Sequence, residues 1–217
     1  MREPIADQDI VAAGPFGNWL ARFRASLRGN QGSEVPCGDC TGCCISGYSI
    51  QLRPQDERAL ARISAELLVQ APGFPRGHLT MAPRPDGVCQ MLHAGKCTIY
   101  QDRPQTCLDY DCRIFTAAGV EAGKAVINQR VRQWRFTYPT CADREAHDAV
   151  LAAASFIREK RASFPANRAP AAPTGIAVLA IKTYTVFLEE DAGNRSDAEI
   201  AAAILDTSQA FDAGTRN

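Results

Sequence analysis

No stretch of this 217-residue sequence is apolar for long enough to cross a bilayer. The longest, Ile176–Leu188, is about 13 residues and is interrupted by Lys182, where a spanning helix needs roughly 20. Charge of one sign is not in excess either, because 24 Lys and Arg balance 24 Asp and Glu. That neutrality speaks against a protein recruited to nucleic acid by a basic field. The first residues, MREPIADQDIVAAGPFGNWLARF, hold no apolar run of signal-peptide length, and Asp7 and Asp9 stand where one would begin. The expectation is a cytoplasmic protein with no membrane segment. Nucleotide and hydrolase signatures are missing as well. Gly119–Gly123 lacks the G-x-G-x-x-G spacing, and no G-x-S-x-G elbow occurs.

Cysteine is absent from residues 1–36, and after Cys112 only Cys141 remains. The other eight lie between Cys37 and Cys112, a window that is about 10% cysteine. The remainder is ordinary for a globular chain, with 46% hydrophobic and 22% charged residues. In a reducing compartment, clustered thiols point to metal ligation rather than to disulfides.

Outside the cysteines the pattern is mainly helical. Residues 1–15 read as an arm. Phe16, Trp19, Leu20, Phe23 and Leu27 form a stripe at helical spacing. A short strand is expected within Ser46–Leu52. A helix opened by Pro54 is expected to carry Leu60, Ile63, Leu67 and Leu68 on one face, followed by a loop over Ala71–Pro85. Val88–Leu92 and Lys96–Tyr100 predict a hairpin around a three-residue turn, His93-Ala94-Gly95. Another helix is expected from Pro104 through Phe115. Ala125–Tyr138 fits helix or strand. Three C-terminal helices follow, over about Asp143–Lys160, Ile176–Glu190 and from Ser196, where Ser196 and Glu199 form a capping box. Pro165, Pro170 and Pro173 mark the linker between the first two. The expected fold class is mainly α with a small β-hairpin and an irregular cysteine-rich metal-binding core packed on helices. The expected domains are an arm and helix over 1–36, a cysteine-cluster domain over 37–141 and a helical region over 142–217.

Two blocks make up the cysteine constellation. The first is Cys37-x2-Cys40-x2-Cys43-Cys44. A C-x-x-C turn sets two sulfurs on one side of a tight loop, at the separation one tetrahedral ion needs. Gly38 and Gly42 let backbone amides approach the sulfurs and admit positive φ. Three cysteines at this spacing also suit an iron–sulfur cluster. Side chains of neighbours diverge, so Cys43 and Cys44 serve two ions, or one is spare. The second block is Cys89, Cys97, Cys107 and Cys112. The first two sit on the two arms of the hairpin. The last two are five apart, about 140° around a regular helix, so either the helix starts after Cys107 or they serve different partners. Eight thiols suffice for two sites of four. All-sulfur coordination selects zinc or iron–sulfur over calcium, magnesium or manganese, and both stay open.

The first block, followed by DGVCQML and GKCTIYQDRPQTCLDYDC, resembles the CxxCxxCC cysteine-cluster family, a YkgJ-type zinc- or iron-chelating domain. The resemblance covers roughly Cys37–Cys112 and includes the run Cys97, Ile99, Tyr100, Arg103, Pro104. Leu108 and Asp111 stand where the family often carries Arg and Pro. It implies metal binding through these cysteines, and the family includes proteins similar to flagellin lysine N-methylases.

Other candidates have simpler roles. Cys141 reads as a helix-start thiol, and His93 as a solvated turn residue rather than a fourth ligand. His78 reads as a loop residue and His147 as lying on a polar helix face. Asp102, Asp109 and Asp111 crowd the last cysteines, and Arg103 is placed to offset thiolate charge. Lys124–Arg135 is a basic run beside Trp134, Phe136 and Tyr138, read as a solvated edge. The function expected is a metal-binding protein serving electron transfer or sensing through an iron–sulfur cluster or zinc. The alternatives are a cluster-dependent protein-modifying enzyme and a zinc-stapled module whose helices, residues 176–211, bind a protein partner.

Overall fold

The computed structural model describes residues 10–29, 32–33, 35–189 and 192–214, with the backbone only for Ala192. Residues 1–9 of the expected arm and Glu190 of the expected helix lie outside the described residues. The chain divides into two units, Met1–Asn30 with Cys112–Asn217, and Gln31–Asp111. The sequence reading placed its boundaries at 36 and 141, where the cysteine spacing rather than backbone contact drew them.

The first unit begins with a strand, β1 (Val11–Pro15), that runs directly into α1 (Phe16–Leu27). The expected stripe is the buried face of α1, with Phe16, Trp19, Leu20 and Phe23 all at 4% exposure or less.

Unit two holds β2 (Ile50–Leu52), α2 (Glu57–Leu60), β3 (Leu68–Gln70), β4 (Leu79–Met81), the hairpin β5 (Leu92–His93) and β6 (Lys96–Cys97), and α3 (Gln105–Asp109). Three expectations are corrected here. The helix expected after Pro54 ends at Leu60, because Ser64 turns extended (ψ 132) and Leu68–Gln70 pairs with β4 instead. The expected loop over Ala71–Pro85 contains β4, the central strand of a three-stranded antiparallel sheet flanked by β2 and β3. The hairpin turn has two residues, not three, since His93 pairs with Lys96. Ala94 (φ 46) and Gly95 (φ 74) are both left-handed, the turn whose twist matches paired strands. The core is small. Leu52, Ala59, Ile63, Met81 and Ile99 are buried, with Cys89 and Cys97 among the side chains packed against them.

The helix expected over Pro104–Phe115 is two, one in each unit. Tyr110 is extended (ψ 116) after α3, and α4 (Arg113–Ala117) starts afresh. The ambiguous segment is both types in succession, α5 (Ala125–Gln133) and then β7 (Trp134–Thr137). Trp134 and Phe136 point inward and Arg135 and Thr137 outward, the alternation of a half-buried strand. β7 pairs in parallel with β1, Val11 opposite Trp134. The remaining helices are α6 (Cys141–Glu159), α7 (Pro173–Thr183) and α8 (Asp197–Ala213). Pro173, expected in the linker, occupies the first turn of α7, where its missing N–H is harmless. A short 3-10 turn over Tyr184–Phe187 replaces the last part of the helix expected to Glu190. The Ser196–Glu199 box forms as expected, and α6 carries a second one between Thr140 and Asp143. Mainly α with small β elements describes the fold. Among the described residues no helix is long and apolar enough to cross a membrane.

His147 corrects another expectation. It lies on the buried face of α6 with Val150, Ala154 and Ile157, not on a polar face. Its ring stacks on Phe16 at 4.3 Å between centroids, and Tyr138 Oη lies 2.6 Å from Nδ1. Burial holds its pKa below the ordinary 6.5. The Ala117 and Thr116 carbonyls and Asp148 oppose that shift, and Arg144 adds to it. Neither carbonyl makes a hydrogen bond of good geometry with Nε2.

Two consequences are measurable. Asp143 Oδ1 accepts the Gly17 N–H at 2.9 Å, joining the starts of α6 and α1, and any Cβ at position 17 would overlap that oxygen. Gly17→Ala is expected to lower the melting temperature by on the order of 5 °C, and an unchanged melt would dismiss the contact. The unfolded chain takes up a proton at His147 near pH 6.5, and burial makes the folded protein take it up less readily. Stability is therefore full above that pH and declines as the pH falls below it. Urea midpoints at pH 8 and pH 5 should differ less in His147→Gln than in the wild type.

Candidate metal centre

The first cysteine block is a pair of tight turns. Cys40 N–H donates to the Cys37 carbonyl at 3.0 Å, closing the C-x-x-C turn, and Gly38 there adopts φ 56. Gly42, also expected to need positive φ, does not adopt it. Instead it opens a 3-10 turn, Gly42–Ile45, in which Cys44 N–H donates to Thr41 at 2.8 Å. Buried Ser46 locks that turn by donating its hydroxyl to the Cys43 carbonyl at 2.8 Å. The sulfurs of Cys43 and Cys44 are 3.9 Å apart.

Backbone hydrogen bonds carry this block to the second one. Cys89 N–H donates to the Cys44 carbonyl at 2.7 Å, and Gly47 N–H to Gly87 at 3.0 Å. Leu92 N–H returns to the Cys89 carbonyl at 3.0 Å, and Leu92 pairs with Cys97 across the hairpin. Cys107 comes from α3, which packs on β2. The Asp56 carboxylate accepts both the Arg53 N–H and the Gln105 N–H at 2.7 Å. It thereby supplies the acceptor that the N-terminus of α3 lacks in its own sequence. Arg53 pairs with Asp109 at 3.2 Å, on the same helix.

The acidic residues around the last cysteines are engaged. Asp102 pairs with Arg58 and Arg62, Asp109 with Arg53, and buried Asp111 accepts from Ser33. Arg103 stacks on Tyr100 at 3.6 Å. Arg84, which no motif marks in the sequence, reaches the Leu92 carbonyl with Nη1 and Asp86 with Nε.

Thiol acidity reports the crowding. Burial pushes Cys107 up to about 12; the neighbouring Cys43, Cys89 and Cys97 add to this, and Arg103 opposes it. Burial also raises Cys89, with Cys97 and Cys43 contributing, against the Met91 N–H and the charge of Arg84. Cys43 is exposed as a residue. Its thiol is nevertheless raised, first by the hydrogen bond with Cys44 and then by burial. Thiolates crowd one another here, and a bound cation relieves that repulsion. The donor set therefore suits a soft ion. As the side chains stand, no three His, Cys, Asp or Glu residues among those described converge at metal-ligand distances.

Cys112 differs in setting. It belongs to the first unit, is 9% exposed, and accepts the Trp134 indole N–H at 3.2 Å. Cys141 is exposed at the start of α6. His93 is exposed in the hairpin, and His78 stacks on Phe74.

Sulfur donors gathered on irregular loops, with little apolar core beneath them, mark a chelating domain of the zinc or iron kind. Residues 36–136, a little under half of the chain, match the model of the CxxCxxCC family, "Putative zinc- or iron-chelating domain". No curated protein and no solved structure matches the chain.

The raised Cys107 thiol has a consequence for the metal-free protein. Its ordinary value is 9.0 and its folded value about 12. The folded state holds this proton longer than the unfolded chain, so its contribution is complete below pH 9 and is lost as the pH rises from 9 toward 12. Denaturant midpoints of metal-free protein should decline across that interval more in the wild type than in Cys107→Ser. Equal declines would contradict the crowding.

Proposed function

We propose that this protein holds an iron–sulfur cluster or zinc through the clustered cysteines Cys37, Cys40, Cys43, Cys44, Cys89, Cys97, Cys107 and Cys112, and serves electron transfer or sensing in the cytoplasm. One observation carries the reading. Cys89 N–H donates to the Cys44 carbonyl, and Leu92 bonds back to Cys89 while pairing with Cys97, so the two blocks are stitched together by backbone.

Energetics support it. Among the described residues of Gln31–Asp111, seven apolar residues are buried: Leu52, Ala59, Ile63, Ala71, Met81, Leu92 and Ile99. Domains of this size with so little core are commonly stapled by metals or disulfides. All nine cysteines are free thiols in the structure, which supports metal rather than disulfides as the staple. When bound, the metal supplies either a redox couple or a rigid cross-link. The chain's own part is to present thiolates, and with the Cys43, Cys89 and Cys107 thiols pushed up, loading releases protons and weakens as the pH falls.

The partner reading for residues 176–211 and the methyl-transfer reading stand on the sequence alone. In α7 and α8 the apolar positions Ile176, Ala180, Ile181, Ile200, Ile204 and Phe211 are buried.

Metal analysis of anaerobically purified protein tests the proposal. Iron with acid-labile sulfide and a brown colour is the expected result for a cluster. Stoichiometric zinc in a colourless protein is expected for the alternative metal. Protein that holds neither after reconstitution would overturn the reading.

A further inference from the structure

Side chains of adjacent residues ordinarily diverge, which is why Cys43 and Cys44 were expected to serve two ions or to leave one spare. The fold brings them together instead. Both lie in the 3-10 turn Gly42–Ile45, and their sulfurs are 3.9 Å apart. Cys43 is exposed and Cys44 half-buried, so small solutes reach the pair. Hydrogen bonds hold the backbone on both sides of them. The Cys44 and Ile45 N–H groups donate to the Thr41 carbonyl at 2.8 and 3.1 Å, and the Ser46 hydroxyl donates to the Cys43 carbonyl at 2.8 Å. The turn so held presents the Cys44 carbonyl to the Cys89 N–H at 2.7 Å.

We propose that Cys43 and Cys44 form a redox switch: they close into a reversible vicinal disulfide by exchange with a low-molecular-weight disulfide, and closure unlocks the turn that presents the Cys44 carbonyl to Cys89. The thiolate of one cysteine attacks the small disulfide, forms a mixed disulfide and expels one small thiolate. The other cysteine attacks the protein sulfur of that bond and expels the second. Two protein thiols are oxidised, the small disulfide is reduced to two thiols, and the two cysteine protons end on them. The switch does not depend on the proposed metal binding, because the exchange runs between sulfurs.

Geometry makes the bond reversible. The ring that closes contains the Cys43–Cys44 peptide bond, which is trans. A trans peptide sets the two Cα atoms about 3.8 Å apart, where disulfides usually span roughly 4.4–6.8 Å. A bond across the shorter span reduces readily, as exposed disulfides also do. Closure must also draw the sulfurs from 3.9 Å to about 2.0 Å. The peptide inside the ring carries the Cys43 carbonyl and the Cys44 N–H. Turning it to close the ring works against the Ser46 and Thr41 bonds that hold the 3-10 geometry.

Oxidised glutathione added to the metal-free full chain tests this. After blocking with N-ethylmaleimide and digestion, fragment masses of the wild type should show Cys43 and Cys44 unblocked and joined, and dithiothreitol should restore both thiols. Cys43→Ser and Cys44→Ser should each stop at the mixed disulfide, with glutathione retained on the remaining cysteine of the pair. In the oxidised wild type the Cys44 and Ile45 amides should exchange with solvent on the order of tenfold faster, as the loss of one hydrogen bond each predicts. Pairing of Cys43 or Cys44 with any other cysteine, a lasting glutathione adduct on either in the wild type, blocking of both, or unchanged amide exchange would overturn the switch. Mapping of the wild type needs no variant to fold. No metal enters the experiment, so its failure leaves the proposed metal binding standing.

Discussion

Thiolates brought together away from water repel one another, and that repulsion governs how the cysteine-bearing unit is built. Its turns are held by backbone bonds rather than by apolar packing. Cys40 bonds back to Cys37, Cys44 to Thr41 and Cys89 to Cys44. The nearby carboxylates are each engaged, by Arg58, Arg62, Arg53 or Ser33, which keeps further negative charge from the sulfurs unopposed. A loop scaffold of this kind sets donor positions while leaving the charge problem for an ion to resolve.

The other unit solves a different problem, by ordinary means. Phe16 is fully buried among Trp19, Phe136 and His147, and its helix begins immediately after a strand. α6 and α8 open with reciprocal capping boxes. Arg24 at the end of α1 donates to the Ile181 and Lys182 carbonyls, satisfying acceptors that the end of α7 leaves open. This unit stands on its own packing, and its one cysteine inside the family match, Cys112, is bound up in that packing through Trp134.

How much of this was legible in the sequence depends on whether a local signal decided the matter. The α1 stripe and the Ser196 box were legible because periodicity and capping act within a few residues. The hairpin was legible for the same reason, apart from its turn, where Ala94 accepts a left-handed φ that its residue type does not advertise. The helix after Pro54 was misread because Leu67 and Leu68 satisfy a helical period and a strand equally well. Pairing with Leu79–Met81 decided between them, and that partner looked like loop. His147 was misread because its burial comes from Phe16 and Tyr138, distant or adjacent in sequence but not part of a helical pattern. The candidate ligands were visible as a count and as a family motif. The joining of the two blocks was not, since it depends on which carbonyl receives the Cys89 N–H.

The parallel pairing of β1 with β7 joins Val11 to Trp134, with the whole cysteine unit threaded between them. In synthesis, β1 and α1 are made first and must wait for a strand more than a hundred residues later. The entropy of closing so long a loop delays such a contact. Any cross-link formed inside the intervening segment shortens the loop that remains to be closed. Along the chain, the cysteine unit lies inside the loop that the β1–β7 pairing closes.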